Sequence, residues 1–179
     1  MTKDDFKVYE SLKEFNRRFN LDIKDIDITI LDLSNINLGN KSLEYLKEMK
    51  FKDLKILYLS NEKESEGKER INNKKLISDI DIFEKFRFEN LELLNLNFNN
   101  ISDLKVLQRV NFKHLKGLYL IGNNISDINI LQKADFKELK DLLLPFNMLT
   151  DISVFKKVNF ENLEVLDLGC NKIIDIIYL

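Results

Sequence analysis

Phenylalanine recurs at a fixed interval along the second half of the chain. Phe88, Phe112, Phe136 and Phe160 are each separated from the next by 24 residues. A side chain that recurs every 20 to 50 residues or so is typical of stacked supersecondary units rather than of one globular core. Each unit in such a stack buries its apolar face only against its neighbours, so the units fold as an array. The period therefore predicts a solenoid, and it directs the search for function to a surface rather than to a pocket.

Leucine and asparagine recur with the same period. The segment that begins at Phe88 reads FENLELLNLNFNNISDLKVLQRVN, and the one that begins at Phe112 reads FKHLKGLYLIGNNISDINILQKAD. All four segments share the pattern LxxLxLxxNx followed by Leu or Ile, with the asparagine at Asn99, Asn123, Asn147 and Asn171. Because the LxL core alternates, it predicts a short strand whose leucines point to one side.

Two less regular units precede these four. One begins at Phe51 and is 13 residues longer than the others, and most of the surplus lies in a charged insertion at 62–75. The other begins at Ile28 and has Ile36 where the asparagine is expected. We therefore expect about six units over residues 28–179, the last of them incomplete.

The repeated pattern resembles that of leucine-rich-repeat proteins. The phrase NxISDIxxL is closest to the phosphatase-regulatory-subunit-like and internalin-like classes. The resemblance implies an α/β fold: a right-handed, curved solenoid with a parallel sheet on its concave face and short helices or 3₁₀ segments on its convex face. It also implies a non-catalytic scaffold that binds a protein or peptide.

Two rows of polar residues have structural explanations. The Asn side chain carries both donors and an acceptor, so the four repeated asparagines are expected to form a buried ladder between loops. Ser or Thr followed by Asp, as at Ser102-Asp103 and Thr150-Asp151, precedes apolar residues at a spacing of three. Such pairs predict the capped starts of short helices on the convex side.

The two ends of the array differ. Residues 1–27 are predicted to contain an amphipathic helix that caps the first strand, with Phe6, Leu12, Phe15 and Phe19 on one face. A partner-binding helix is the alternative. The final residues IIDIIYL include Ile176, Ile177 and Leu179 and form no polar lid. Three explanations stay open: a fragment of a longer array, pairing with a second copy, or a last turn that folds back.

Composition restricts the class of protein. The net charge is −2, so no excess of basic residues favours nucleic acid or an anionic membrane. The sequence has no run of 18 apolar residues and no signal peptide, and a single cysteine excludes an internal disulfide framework. These features favour a cytoplasmic protein. No metal-ligand spacing and no phosphate-binding glycine loop occurs, so we expect neither an enzyme nor a cofactor.

The variable positions between the strand leucines face the concave side, and they predict the binding surface. They combine aromatic and aliphatic residues with amides and carboxylates, and two further aromatics lie at the rim where the strands end. Because apolar patches with aromatic anchors mark interaction sites, we predict that the partner contacts Ile56, Tyr58, Leu93, Asn95, Asn97, Phe98, Tyr119, Ile121, Asp141, Leu143, Phe146 and Asp167.

Other functions stay open at this point. The chain is alternatively the recognition module of a longer surface or effector protein, or of a multi-subunit enzyme. A third possibility is a scaffold that self-associates through its uncapped C-terminal end. The insertion at 62–75 is either a solvated loop or a second contact to the partner.

Overall fold

A computed structural model describes residues 3–24, 26–49, 51–61, 75–86 and 88–175, with side chains from residue 7 onward. Helix α1 spans Lys3–Phe19 and helix α2 spans Asn40–Met49. The other convex segments are 3₁₀ turns at Asp81–Lys85, Lys105–Gln108, Asn129–Lys133 and Ser153–Lys156. Within the described residues, no helix is long and apolar enough to cross a membrane.

Six short strands form one parallel sheet in which the order along the sheet is the order along the chain. They are β1 Ile30–Asp32, β2 Ile56–Tyr58, β3 Leu93–Asn95, β4 Gly117–Tyr119, β5 Asp141–Leu143 and β6 Val165–Asp167. The register is constant: the central leucine of each strand pairs with the central leucine of the next. This is the leucine-rich-repeat solenoid that the period predicted.

The interior is a stack of identical rows. The central leucines of β1 to β5 are at most 3% exposed, whereas that of β6, beyond which the structure describes no further unit, is half-buried. On the side where each unit begins, the ring centroids of Phe88 and Phe112 lie 5.9 Å apart, and those of Phe112 and Phe136 lie 6.4 Å apart. Three of the four periodic phenylalanines, Phe88, Phe112 and Phe136, therefore form a stacked row inside the solenoid.

The asparagine ladder also has the predicted structural role. The Asn123 side-chain oxygen accepts the Ile101 N–H at 3.0 Å, and its amide donates to the Leu96 and Leu120 carbonyls at 3.0 and 3.1 Å. Asn99, Asn147 and Asn171 repeat this arrangement in their own units. Each amide therefore connects its own strand exit to that of the preceding unit.

The aspartates of the convex side do cap the 3₁₀ segments, but from one position earlier than a helix N-cap. The Asp103 carboxylate accepts the N–H of Lys105 at 2.8 Å, and the Asp151 carboxylate accepts that of Ser153 at 2.7 Å. The Asp79 and Asp127 carboxylates likewise accept the N–H of the residue two positions later in the sequence. The residue at the N-cap position itself is Ile or Leu, which has no side-chain hydrogen bond to offer.

These caps predict an acid-dependent loss of stability. The hydrogen bond from the Lys105 N–H lowers the pKa of Asp103, and that from the Ser153 N–H lowers the pKa of Asp151. A carboxyl whose pKa is lower in the folded state contributes stability above its unfolded pKa and loses it as the pH falls through the folded pKa. We therefore expect Asp103→Asn with Asp151→Asn to flatten the fall in stability below about pH 4, because the amide oxygen accepts the same bond without titrating.

Urea unfolding midpoints between neutral and acid pH measure this effect. Asp53→Asn, at an exposed carboxyl that caps no 3₁₀ segment, is the control. An unchanged acid dependence in the double variant would show that these caps contribute nothing to it.

The N-terminal helix covers the convex helix of the first unit. Lys7 forms an ion pair with Glu48 at 2.8 Å, and the ring of Phe15 lies 6.2 Å from that of Tyr45. Phe15 is fully buried and Leu12 is buried, but the side chain of Phe6 lies outside the described part. Helix α1 thus packs against α2, not over β1 as expected, because α2 is a full α-helix that presents its own apolar face to α1.

Two further expectations fall on residues that the structure does not describe. Residues 62–74 of the charged insertion lie outside the described part, as do Ile176, Ile177 and Leu179. The described residues that flank the insertion are bound to other units. The Asn61 N–H donates to the Asn97 carbonyl at 2.9 Å, and the Lys75 N–H donates to the side-chain oxygen of Asn37.

Candidate concave interaction surface

The strand register places the predicted concave residues in rows. The third position of each strand carries, from β1 to β6, Asp32, Tyr58, Asn95, Tyr119, Leu143 and Asp167. The first position carries Ile30, Ile56, Leu93, Gly117, Asp141 and Val165. Because alternate strand residues point to opposite faces, these two rows lie on the face opposite the buried central leucines.

The middle of this surface is partly covered by its own side chains. Tyr58, Leu93, Tyr119, Ile121 and Leu143 are all half-buried. A half-buried apolar side chain on the outer face of a sheet still presents apolar area to solvent. The sequence predicted the direction in which these side chains point, but it did not show how closely they pack on one another.

Gly117 allows close packing in the middle of the surface. A Cβ at this position would lie 3.3 Å from the Tyr119 ring and 3.4 Å from the Leu93 side chain. The two side chains therefore extend over the glycine, which is itself buried. Burial raises the pKa of Tyr119, and the negative charge of the nearby Asp141 raises it further. The phenol therefore stays protonated at neutral pH and remains a hydrogen-bond donor.

Three of the predicted contact residues also have structural tasks. The Asn95 side chain accepts the Asn97 N–H at 3.0 Å, and the Asp167 side chain accepts the Gly169 N–H at 2.9 Å. The Asn97 side chain in turn accepts the Ile121 N–H at 2.8 Å. These bonds shape the turns at the strand exits. The aromatic and aliphatic side chains of the surface make no bond of this kind.

The rim at the strand exits holds two phenylalanines in an uncommon backbone conformation. Phe98 and Phe146 both have φ of 55°, and Gly122 occupies the corresponding position between them with φ of 67°. A bulky residue rarely adopts positive φ, because its Cβ approaches the backbone. A Cβ at Gly122 would lie 2.5 Å from the Phe98 ring, so the ring of Phe98 covers the glycine. Phe146 is 53% exposed.

A row of charges follows the opposite rim, at the residue before each strand from β2 to β6. Glu92 binds Lys116 at 2.7 Å and Lys55 at 3.1 Å, and Lys140 binds Glu164 at 2.5 Å. The hydrogen bond from Lys116, followed by that from Lys55, lowers the pKa of Glu92. Sequence reasoning missed this row. The signal was present, since Glu92, Lys116, Lys140 and Glu164 share the 24-residue spacing.

Side chains able to bind a metal ion do not converge in the part of the chain that the structure describes. That part contains no cluster of three or more His, Cys, Asp or Glu side chains arranged to hold a metal ion. His114, the one histidine, lies 3.0 Å from a carboxylate oxygen of Glu138 in the next unit. This contact is one more link between neighbouring units.

Solved structures that resemble this chain are leucine-rich-repeat proteins. Internalin C2 from Listeria monocytogenes superposes with a TM-score of 0.56 at 19% identity, over 94% of this chain and 87% of that one. The functional domain of InlJ from the same organism gives 0.59 at 18% identity, over 95% of this chain. A leucine-rich-repeat protein of Leptospira interrogans gives 0.52 at 22% identity, over 92% of this chain.

These similarities concern the fold. The chain spans 33% of the InlJ domain and 46% of the Leptospira protein. No protein-family model and no curated protein sequence matches the chain. With six parallel strands in sequential order and a repeated asparagine ladder, the chain has the fold of a leucine-rich-repeat solenoid.

Proposed function

We propose that this solenoid is a non-catalytic scaffold that binds a protein or peptide through its concave face. The observation that carries the proposal is the apolar strip formed by Tyr58, Leu93, Tyr119 and Leu143. These side chains lie on adjacent strands, and none of them belongs to the buried core of the solenoid. Apolar surface that contributes nothing to the interior is typical of interaction sites.

The chemistry of the strip favours a particular kind of partner. Aromatic residues dominate binding energy where they become fully desolvated, and Tyr58 and Tyr119 are the aromatic residues within the strip. Asp141 lies beside Tyr119, and Asp167 lies at the end of the row of third strand positions that contains Tyr119. We infer a partner segment that combines an apolar side chain with a basic one. The apolar group would cover Leu93 and Tyr119, and the cation would face Asp141.

The proposal predicts that charge placed in the strip abolishes binding. Tyr119→Asp with Leu143→Asp removes two apolar contacts and introduces two carboxylates. We expect at least a hundredfold loss of affinity for a partner captured from source-cell lysate, since hot-spot residues contribute about 2 kcal/mol or more each. Calorimetry with the purified partner measures the loss, and circular dichroism checks that the variant is folded.

The matched control places charge on the opposite face. Gln132→Asp with Lys133→Asp introduces the same side chains at exposed convex positions of the unit that contains Tyr119. Unchanged affinity in this variant, together with loss in the concave one, assigns the partner to the strip. If every specific partner is retained by the concave variant, the proposed site is wrong.

A substitution of Phe146 tests the contribution of the rim to binding and has little effect on the fold. Replacement by Asn relieves the positive φ of a bulky residue and removes the contacts of a ring that is already half exposed. These two effects on stability oppose each other. The affinity of the variant for the partner therefore reports the contribution of the rim to binding without a large change in stability.

A further inference from the structure

The solenoid contains a cavity, lined mainly by apolar residues, between its first and third units. Its volume is about 220 Å³, and its walls include Leu31 and Leu57 from the inner face of the sheet, Leu46 from α2, and Phe51 and Phe88. All five residues are buried. Two lysines, Lys47 and Lys85, also line the cavity.

The cavity lies where the regular packing of the repeat is interrupted. From Phe88 to Phe136 the phenylalanine rings at the start of each unit stack on one another. Among the described residues, Phe51 of the preceding unit forms no ring pair with Phe88; the rings that contact Phe88 on that side are Phe83 and Phe86, at 5.7 and 5.1 Å. On the convex side of the first unit, the α-helix α2 takes the place of a 3₁₀ segment. This change leaves the interior beside it incompletely filled.

The size and the lining indicate a small ligand with an apolar body. Packed protein interiors contain few voids larger than a water molecule. An apolar cavity of about 150 Å³ is sufficient to bind benzene. A cavity of about 220 Å³ accommodates a somewhat larger group, such as an alkyl chain of about eight carbons.

The two lysines indicate which charge a ligand of this cavity would carry. The ammonium of Lys47 lies 2.9 Å from Glu44 and 3.6 Å from Glu48, so its charge is already compensated. Lys85 is exposed and its side chain forms no ion pair with any described residue. Lysine keeps its charged end in water while its methylene groups cover apolar surface. An anionic head group would therefore meet Lys85 while its tail entered the cavity.

We propose that this cavity binds an amphipathic monocarboxylate with an unbranched chain of about eight carbons. The proposal is independent of the concave surface, because the cavity lies behind the sheet and includes none of the residues assigned to the partner. It requires one apolar volume and one available cation, and the structure provides both.

Three probes of equal chain length test the proposal by calorimetry on the intact chain: octanoate, octanol and octylammonium. We expect octanoate to bind most tightly, octanol more weakly and octylammonium most weakly, because its cation would meet Lys85. Lys85→Ala should weaken octanoate about fivefold and leave octanol unchanged, since an exposed ion pair contributes up to about 1 kcal/mol, which is a factor of about five. Lys133→Ala, at the last residue of the 3₁₀ segment two units on, is the matched control and should change neither.

A second variant tests whether the apolar chain of the ligand occupies the cavity. Leu46→Phe reduces the cavity volume and should weaken octanoate and octanol together, with folding checked by circular dichroism. If that variant does not fold, nuclear Overhauser contacts between octanoate and the Leu46 and Phe86 side chains of the unchanged protein test the same point. Absence of octanoate binding, contacts elsewhere on the surface, or octylammonium binding as tightly as octanoate would each overturn the proposal.

Discussion

Phe112→Ala is expected to destabilise the protein by about 3–5 kcal/mol, the range for truncation of a buried aromatic residue. Phe112 is 1% exposed and lies between Phe88 and Phe136, with nearly parallel rings on both sides. Its removal leaves a cavity that both neighbouring units border. Because each unit is stable only against its neighbours, the interface is lost on two sides at once. Urea unfolding followed by circular dichroism measures the effect.

Phe160→Ala is the matched control, because it removes the same side chain from the same position of the last unit. Phe160 is half-buried, and its described ring contact is with Phe155, at a centroid distance of 6.4 Å. We expect a markedly smaller effect there. Equal destabilisation by the two variants would show that the row of rings does not act through stacking between units.

The parts of the fold that repeat could be predicted from the sequence. One unit constrains the next through the same contacts, so the 24-residue spacing was enough to place Phe112 in the interior and Asn123 in the ladder. The strand alternation likewise placed Tyr119 on the concave face. Each of these inferences depends on position within the unit and not on which unit is considered.

The features that differ between units could not be predicted. Nothing in the spacing indicated that α1 packs on α2, because that contact joins two irregular segments. The positive φ of Phe98 and the ring that covers Gly122 follow from a choice of side chains in two neighbouring units. The cavity behind β1 and β2 has the same origin, since it arises where the convex side changes from a helix to 3₁₀ turns.

The asparagine ladder leads to a prediction about coupling between units. Asn123→Ala leaves the Ile101 N–H without its partner and removes a donor from the Leu96 and Leu120 carbonyls and, at 3.4 Å, from the Ile121 carbonyl. Each of these carbonyls keeps another donor: Leu96 accepts from Asn99 at 3.1 Å, Leu120 from Asn147 at 2.8 Å, and Ile121 from the Phe98 N–H at 2.6 Å. We therefore expect a loss of about 2–4 kcal/mol, chiefly from one unsatisfied N–H and the lost hydrogen bonds of the amide.

Removing a second asparagine is expected to have different effects in adjacent and in alternate units. Asn123→Ala with Asn147→Ala deprives the Leu120 carbonyl of both side-chain donors, so the loss should exceed the sum of the single losses by about 1 kcal/mol or more. Asn99→Ala with Asn147→Ala leaves every shared carbonyl one donor, because Asn99 and Asn147 bind no carbonyl in common. Their losses should add. Urea unfolding of both cycles with the same probe measures the difference, and equal coupling in the two pairs would mean that the shared carbonyls do not transmit the interaction from one unit to the next.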